Sequence, residues 1–306
     1  GLHAHSVAGS VFDGFGYPQD HMDFAYQNGM GALALTDHGN MNGLSYQVLH
    51  AKKMKAEGKS FKPIFGVEAY FVPSIAEWKE EYDRVKADKK QAKKIIEETD
   101  KVSAEDEGAS KKASKNKINS RRHLVLVALN QTGLNNIYKI VSDSHQGDNF
   151  YRYPRLDYDL LKKYGDGVMA SSACLGGVYA GDYWDNCIYE EYVDEESGKT
   201  KSRKIGKNEE AILEAMRNTT RRMIDTLGDR WFGELQWNNI PEQHELNQYV
   251  IQMHEEFGID LISTADSHYP TPDAWKDREL YKRLGWLGKS NKPEWLKSEL
   301  PAGVEE

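Results

Sequence analysis

Cysteine is nearly absent: only Cys174 and Cys187 occur in 306 residues. Two thiols cannot make a disulfide framework, which excludes the stapled, secreted class of fold and favours a reducing, cytoplasmic setting. No stretch reaches the roughly 18 apolar residues that a membrane span needs, so no membrane partner is expected. No signal peptide precedes the first motif. The chain also lacks an excess of positive charge. Its net charge of −8 gives the whole surface no attraction for nucleic acid, so a DNA partner would require a local basic patch. Hydrophobic residues, at 39%, are somewhat scarce, and charged ones, at 29%, somewhat abundant. The charge is concentrated in two stretches, which leaves the remainder able to bury a full core.

Short apolar runs read as buried strands at Leu33–Leu35, Ile64–Val67, Leu124–Leu129, Val168–Ala170, Phe232–Leu235 and Leu261–Ile262, with another around Leu2–His5. Helical patterns fall between them, at Pro18–Asn28, Leu44–Glu57, Gly133–Ser142, Glu209–Leu227 and Glu242–Phe257. Alternation of this kind predicts an α/β fold with parallel strands under a cover of helices. About seven such units suit a closed or nearly closed barrel better than an open sheet. Two polar insertions interrupt the rhythm. Residues 77–122 read as a helix to about Thr99, then a Ser/Lys-rich mobile loop whose last part, Lys111 to Arg122, carries only positive charge. Residues 189–208 read as an exposed hairpin turning at Glu196-Ser197-Gly198-Lys199-Thr200.

Chemistry concentrates at strand ends. In Leu2-His3-Ala4-His5-Ser6, alternate side chains of an extended segment share a face, so His3 and His5 can grip one ion together. Asp13 follows in a loop able to fold back over the same mouth. Leu33-Ala34-Leu35-Thr36-Asp37-His38-Gly39 ends an apolar strand in acid, imidazole and glycine, at the barrel end where active sites form. The bland alternative is that Asp37 caps the next helix and His38 packs beside it. Glu68 follows directly on Ile64–Val67, where a lone carboxylate costs several kcal/mol unless paired or metal-bound; its two oxygens could bridge two ions. Asp266 and His268 alternate just past Leu261–Ile262. Four strand ends each delivering His, Asp or Glu to one rim predict a multinuclear site. The mixed nitrogen and oxygen donors suit zinc, manganese or iron. His21, His50, His145, His244 and His254 read as surface or packing residues, and Trp231, Trp237 and Tyr269 as core or rim.

These motifs resemble the PHP (polymerase and histidinol phosphatase) superfamily, in particular the PHP domain of bacterial-type DNA polymerase III alpha subunits. The stretches Arg122-His123-Leu124-Val125-Leu126-Val127-Ala128, Tyr153-Pro154-Arg155-Leu156-Asp157 and Ser171-Ser172-Ala173-Cys174-Leu175-Gly176-Gly177 share in the resemblance, which spans nearly the whole chain. It implies a distorted (β/α)7 barrel over residues 1–275 and a C-terminal extension, 276–306, leading towards an absent polymerase region. It also implies two or three divalent ions held by His3, His5, Asp13, His38, Glu68, His123, Cys174, Asp266 and His268. His123 and Cys174 enter mainly through the resemblance: by itself His123 begins a strand, and Cys174 reads as an inert buried thiol. Arg155 resembles an arginine near the site mouth that could hold a phosphate oxygen, with a structural salt bridge as the equal alternative. The implied function is a metal-dependent phosphoesterase, a proofreading 3′–5′ exonuclease acting on a DNA primer end within a replicative polymerase. Asp37 or His38 would carry the leaving group's proton. The alternatives are a small-molecule phosphatase of the histidinol-phosphatase type, acting on a small phosphomonoester, and a non-catalytic metal-binding module. Neighbouring ions would lower the pKa of a water towards roughly 7 and neutralise charge building on phosphate oxygens.

Overall fold

The computed structural model describes residues 1–98, 118–195, 198, 200–288 and 296. Most of the Ser/Lys-rich loop expected before Arg122 lies outside the described residues, as do most of the hairpin turn and the end of the C-terminal extension.

The elements in chain order are α1 (Pro18–Gln27), β1 (Ala32–Leu35), α2 (Leu44–Ala56), β2 (Lys62–Phe71), α3 (Ile75–Glu98), β3 (Arg122–Ala128) and α4 (Gln131–Ser144). Then come β4 (Phe150–Tyr151), β5 (Tyr153–Leu156), α5 (Tyr158–Tyr164), β6 (Val168–Ser171) and α6 (Val178–Asp185). The chain continues with β7 (Cys187–Val193), β8 (Thr200–Lys207), α7 (Glu209–Leu227), β9 (Trp231–Gln236), α8 (Pro241–Phe257), β10 (Asp260–Thr264) and α9 (Trp275–Leu284). Local chemistry sets many of these boundaries. Asn130 and Asn208 accept the backbone N–H of Gly133 and Ala211, capping α4 and α7. Gly258, at φ 68°, ends α8 in the left-handed conformation that costs glycine nothing. Along α7, Ile212, Met216, Thr220, Met223 and Leu227 are buried, the three- and four-residue spacing of one helical face.

The main sheet runs β10-β9-β6-β3-β2-β5-β4, with β1 also on β2. Residues 1–5 close the curl. Thr36 and Ala34 donate to the carbonyls of Ala4 and Gly1 at 2.8 and 2.9 Å, and His5 donates to Ser267 at 2.8 Å. The N-terminal segment therefore sits as a stave between β1 and the end of β10, giving the distorted seven-stave barrel. The interior packs Leu124, Leu126, Leu161 and Trp231 against Ile137, Met216 and Val250, all essentially inaccessible. Each such side chain contributes about 1.5–3 kcal/mol of burial.

One expectation is corrected. The strands are not all parallel: β3 runs antiparallel to both β2 and β6, while β1–β2, β6–β9 and β9–β10 are parallel. Strand periodicity carries no sign of direction, which is why alternation suggested a uniform set. The reversal places the start of β3 on the rim where the others finish. The connection from β2 to β3, which holds the first insertion, therefore leaves and re-enters at that same rim. The second insertion is the hairpin β7–β8, a two-stranded sheet that pairs, among the described residues, only with itself.

Candidate metal centre

Glu68 is the hub. It lies within β2, which continues past it because both edges stay paired, with β3 on one side and β5 at Tyr70 and Phe71 on the other. Its Oε1 lies 3.4 Å from His3 Nε2, 2.8 Å from His123 Nδ1 and 3.9 Å from Cys174 Sγ. Its Oε2 lies 2.8 Å from His38 Nδ1 and 3.3 Å from His5 Nε2. One carboxylate thus faces two groups of donors, as a bridging ligand must. Asp266 Oδ1 sits 3.3 Å from His3 Nε2 and 3.1 Å from His5 Nε2. Asp13 Oδ2 approaches His38 Nε2 at 2.9 Å and His268 Nε2 at 3.3 Å.

All nine expected ligand residues are brought to one rim, and three overlapping ligand groups result: His3 with His5 and Asp266, His38 with Glu68 and His123, and His5 with His38 and His268. The test of fit is what these atoms lack. His3 Nε2, His5 Nε2, His38 Nδ1, Glu68 Oε2 and Asp266 Oδ1 are all buried without a hydrogen-bond partner. An unsatisfied buried polar atom costs about 1–3 kcal/mol, so five of them facing one another mark a place built for cations. His3, His5 and Glu68 form the closed floor, whereas Asp13, with 40% of its side chain exposed, stands at the open side. Asp266 holds φ at 48°, a strained conformation for a residue with a Cβ, at the point where it turns into the cluster.

Across the cluster, facing charges compete with burial. Burial alone would depress His3 and His38. The carboxylates of Glu234, Asp266 and Glu68 nevertheless raise His3 well above its usual range, and Asp13 and Glu68 raise His38 to about 10. Glu68 and Asp266 are held low despite burial because the imidazoles face them. His5 is pushed down to about 4 by burial. Burial, then the carboxylates of Glu68 and Asp266, keep the Cys174 thiol protonated.

His123 reaches the centre because β3 is reversed; its backbone N–H also donates to Gly176 O at 2.8 Å, tying it to the turn that presents Cys174. That turn needs glycine at 177, where a Cβ would come within 1.9 Å of Ser172 O.

Two expected catalytic residues are placed elsewhere. Asp37 does not reach the cluster. Its Oδ1 accepts Ser6 N–H at 2.6 Å and the Ser10 hydroxyl at 2.8 Å, and its Oδ2 accepts the Ser6 hydroxyl at 2.8 Å. Both its oxygens are thus turned towards the serines and away from the ligand cluster. Because Asp37 takes the Ser10 hydroxyl proton, Ser10 Oγ is left to accept from His5 Nδ1 at 3.2 Å, which turns the Nε2 lone pair inward. Arg155 is buried outside the cluster, its Nε and Nη2 donating to the carbonyls of Asn149 and Asp148 at 3.2 and 2.7 Å. Among the described residues no salt bridge holds it, and it stands beside the cluster, paired in register with Tyr70, and not within it.

Glu234, which the sequence reading missed, belongs to the centre. Fully buried in β9, it accepts from His3 Nδ1 at 2.7 Å, from the hydroxyls of Ser171 and Thr264 at 2.5 Å each, and from Gln236 Nε2 at 3.0 Å. Its hold on Nδ1 turns His3 Nε2 towards Glu68 and Asp266. A carboxylate inside the apolar run Phe232–Leu235 was the available signal.

Comparison with known proteins agrees with this geometry. The PHP domain family model matches residues 1–229. The chain belongs to the PHP family. The DNA polymerase III alpha subunit of Aquifex aeolicus is 31% identical over 274 residues, 89% of this chain and 18% of that one. The corresponding subunits of Borreliella burgdorferi and Thermus aquaticus are 27% and 28% identical, over 97% and 88% of this chain and 20% and 17% of theirs. The chain thus spans about a fifth of the length of these relatives and is homologous to their PHP regions. Among solved structures, an amidohydrolase from Chromobacterium violaceum overlays with a TM-score of 0.41 at 13% identity, covering 92% of this chain and 95% of that one, a likeness too loose to bear on function. Among the described residues, no helix is long and apolar enough to cross a membrane.

Proposed function

We propose that this PHP domain is a metal-dependent phosphoesterase that hydrolyses nucleic-acid phosphodiesters from a 3′ end, in the service of a DNA polymerase. The observation that carries it is the set of five buried ligand atoms, ranged around Glu68 and facing one another without a hydrogen bond. Divalent ions bound there would supply Lewis-acid activation of water and neutralise a phosphate.

The chain's own groups prepare the site. Glu234 and the Asp37–Ser10 pair hold the Nδ1 sides of His3 and His5, so that both Nε2 atoms face the cluster. Asp266 O accepts from His268 Nδ1 at 2.8 Å and does the same for that ring. Half-buried His38 and the more open Asp13 pair at the mouth, placed to exchange a proton with a leaving oxygen. The relatives' identity as polymerase subunits favours a nucleic-acid substrate over a small monoester.

The test pairs elemental analysis with two substrates. Purified protein loaded with manganese or zinc should contain two or three ions and shorten a 3′-labelled primer. Turnover of a small phosphomonoester alone would shift the assignment to a small-molecule phosphatase. Metal-free protein that is silent on both after loading would reduce the domain to a structural role.

A further inference from the structure

Beside the metal centre is a cavity of about 370 Å³ lined by Arg121, Arg152 and Arg155 with Ser120, Tyr151 and Tyr153. Its wall carries three guanidinium groups and no carboxylate, in a chain whose net charge is −8. Among the described residues, none of the three arginines is in an ion pair. Instead they are held on aromatic faces. Arg155 lies 3.6 Å from the Trp78 ring centre and Arg121 lies 3.7 Å from that of Tyr153.

Donors remain unused. Arg155 is 2% exposed, yet its Nη1 is buried with no partner. Arg121 Nε is in the same condition. Arg152 holds φ at 62°, a conformation that costs a residue with a Cβ on the order of 1 kcal/mol or more and recurs where backbone serves a ligand. Burial draws the Arg155 pKa down to about 10, which leaves it charged at neutral pH. An adjoining cavity of about 210 Å³ shares Arg152 and Tyr151 and adds Lys86, extending the basic wall along the first insertion.

The position is as telling as the charge. Arg121 also lies 5.3 Å from the Tyr70 ring centre, and Tyr70 in turn packs against His123 at 5.5 Å and His38 at 6.1 Å. One tyrosine therefore separates the arginines from the ligand cluster. This closeness follows from the reversed β3, which returns the insertion to the active rim two residues before His123.

We infer that this cavity binds a second, non-scissile phosphate of the substrate strand while the metal centre engages the scissile one. The inference rests on the phosphodiester reading given above and specifies it: the substrate carries at least two phosphates, and guanidinium forks grip the one that is not cut. The flanking Tyr151 and Tyr153 rings offer faces to the attached sugar and base.

Metal-stripped full chain titrated with fluorescein-labelled dT8, by anisotropy across a salt series, tests this without any turnover. The R121Q/R152Q double variant should bind at least tenfold more weakly than the starting chain. Its slope of log Kd against log salt should be shallower by about 1, the signature of roughly one or two lost phosphate contacts on a single strand. Exposed Arg152 alone, as R152Q, should lose several-fold and serves if the double variant folds poorly. Lys52→Ala, an exposed charge on α2 that lines neither cavity, should change nothing. Natively folded R121Q/R152Q with unaltered Kd and slope, or a starting chain with no affinity for dT8, overturns the inference. Arginine-dependent dT8 binding by a chain whose manganese-loaded form leaves bis(4-nitrophenyl) phosphate and a labelled primer intact supports the arginine site while sinking the phosphoesterase reading.

Discussion

Glu234→Gln is the most informative single change. The substitution keeps shape and volume but replaces one carboxylate oxygen with an NH2 group, at a buried position that now receives four donors: His3 Nδ1, the hydroxyls of Ser171 and Thr264, and Gln236 Nε2. An amide offers one acceptor atom where the carboxylate offers two. At least one hydroxyl must rotate away, and the His3 ring loses its charged anchor. Outer-shell partners of this kind typically contribute 10- to 100-fold in metal affinity, about 1.4–2.7 kcal/mol. The loss should appear twice. Competition against a chelator of known affinity should show zinc or manganese bound 10- to 100-fold less tightly, with circular dichroism unchanged. At a fixed excess of metal, the thermal stabilisation that metal confers should shrink by the same free energy, since a ligand stabilises in proportion to the logarithm of its excess over Kd. E234Q with undiminished metal affinity and an undiminished thermal shift would mean His3 is not held for a metal, and the reading of the floor of the site would fail.

Two further outcomes follow from contacts at the edges of the centre. Arg278, on α9, donates from Nη2 to Asp13 Oδ1 at 2.8 Å and from Nε to Asp13 O at 2.7 Å. Because Asp13 is 40% exposed, R278A should cost under about 1 kcal/mol of stability. It should, however, raise several-fold the metal concentration needed for half-maximal activity, and an unchanged metal requirement would show that Asp13 needs no latch. Asp182 is a half-buried carboxyl on α6 whose pKa burial lifts from 3.8 to about 6, with the Thr219 hydroxyl of α7 donating to it at 2.7 Å. A raised acid favours the protonated fold, so this contribution is present below about pH 4 and is lost as pH rises through about 6, a swing of up to roughly 3 kcal/mol. Urea unfolding from pH 4 to 7 should therefore show D182N gaining on the unmodified chain as pH increases; parallel curves would refute it.

Much of the centre was legible because strand ends are short, apolar and interrupted by residues that do not belong in a core. His3, His5, His38, Glu68, Asp266 and His268 each stand at or just past such a run, and each faces the cluster. Asp37 shared that position and yet turned away. At a strand end the backbone fixes which residues approach the rim but not which face a carboxylate takes, and the serines at 6 and 10 claimed it. Glu234 went unread because apolar neighbours made it look like part of an ordinary strand. Only the meeting with His3, 231 positions away in the chain, ties it to the ligand cluster. The five histidines read as packing residues include His21, His50 and His254, which bond locally to Phe15 O, Asp23 and Ile259 O, contacts that leave them no part in the cluster.

The direction of β3 is where sequence periodicity stopped and topology took over. A histidine that opens a strand should sit at the barrel end opposite one that closes a strand, and on a uniformly parallel barrel His123 would be a full strand length from Glu68. The antiparallel register instead sets His123 opposite Tyr70, one side-chain step beyond Glu68 on the same face. The same inversion removes any need for the β2–β3 connection to cross the barrel. A conventional crossover would spend α3 covering the sheet on the way to the far end. Here it begins and finishes at the ligand rim, so residues spent on the insertion build the wall beside the metal centre: Trp78 beneath Arg155 and Arg121 over Tyr70. One reversed strand therefore supplies a ligand from its first turnward residue and positions the basic cavity next to it, and a variant that shortened the insertion should lose oligonucleotide affinity before it loses bound metal.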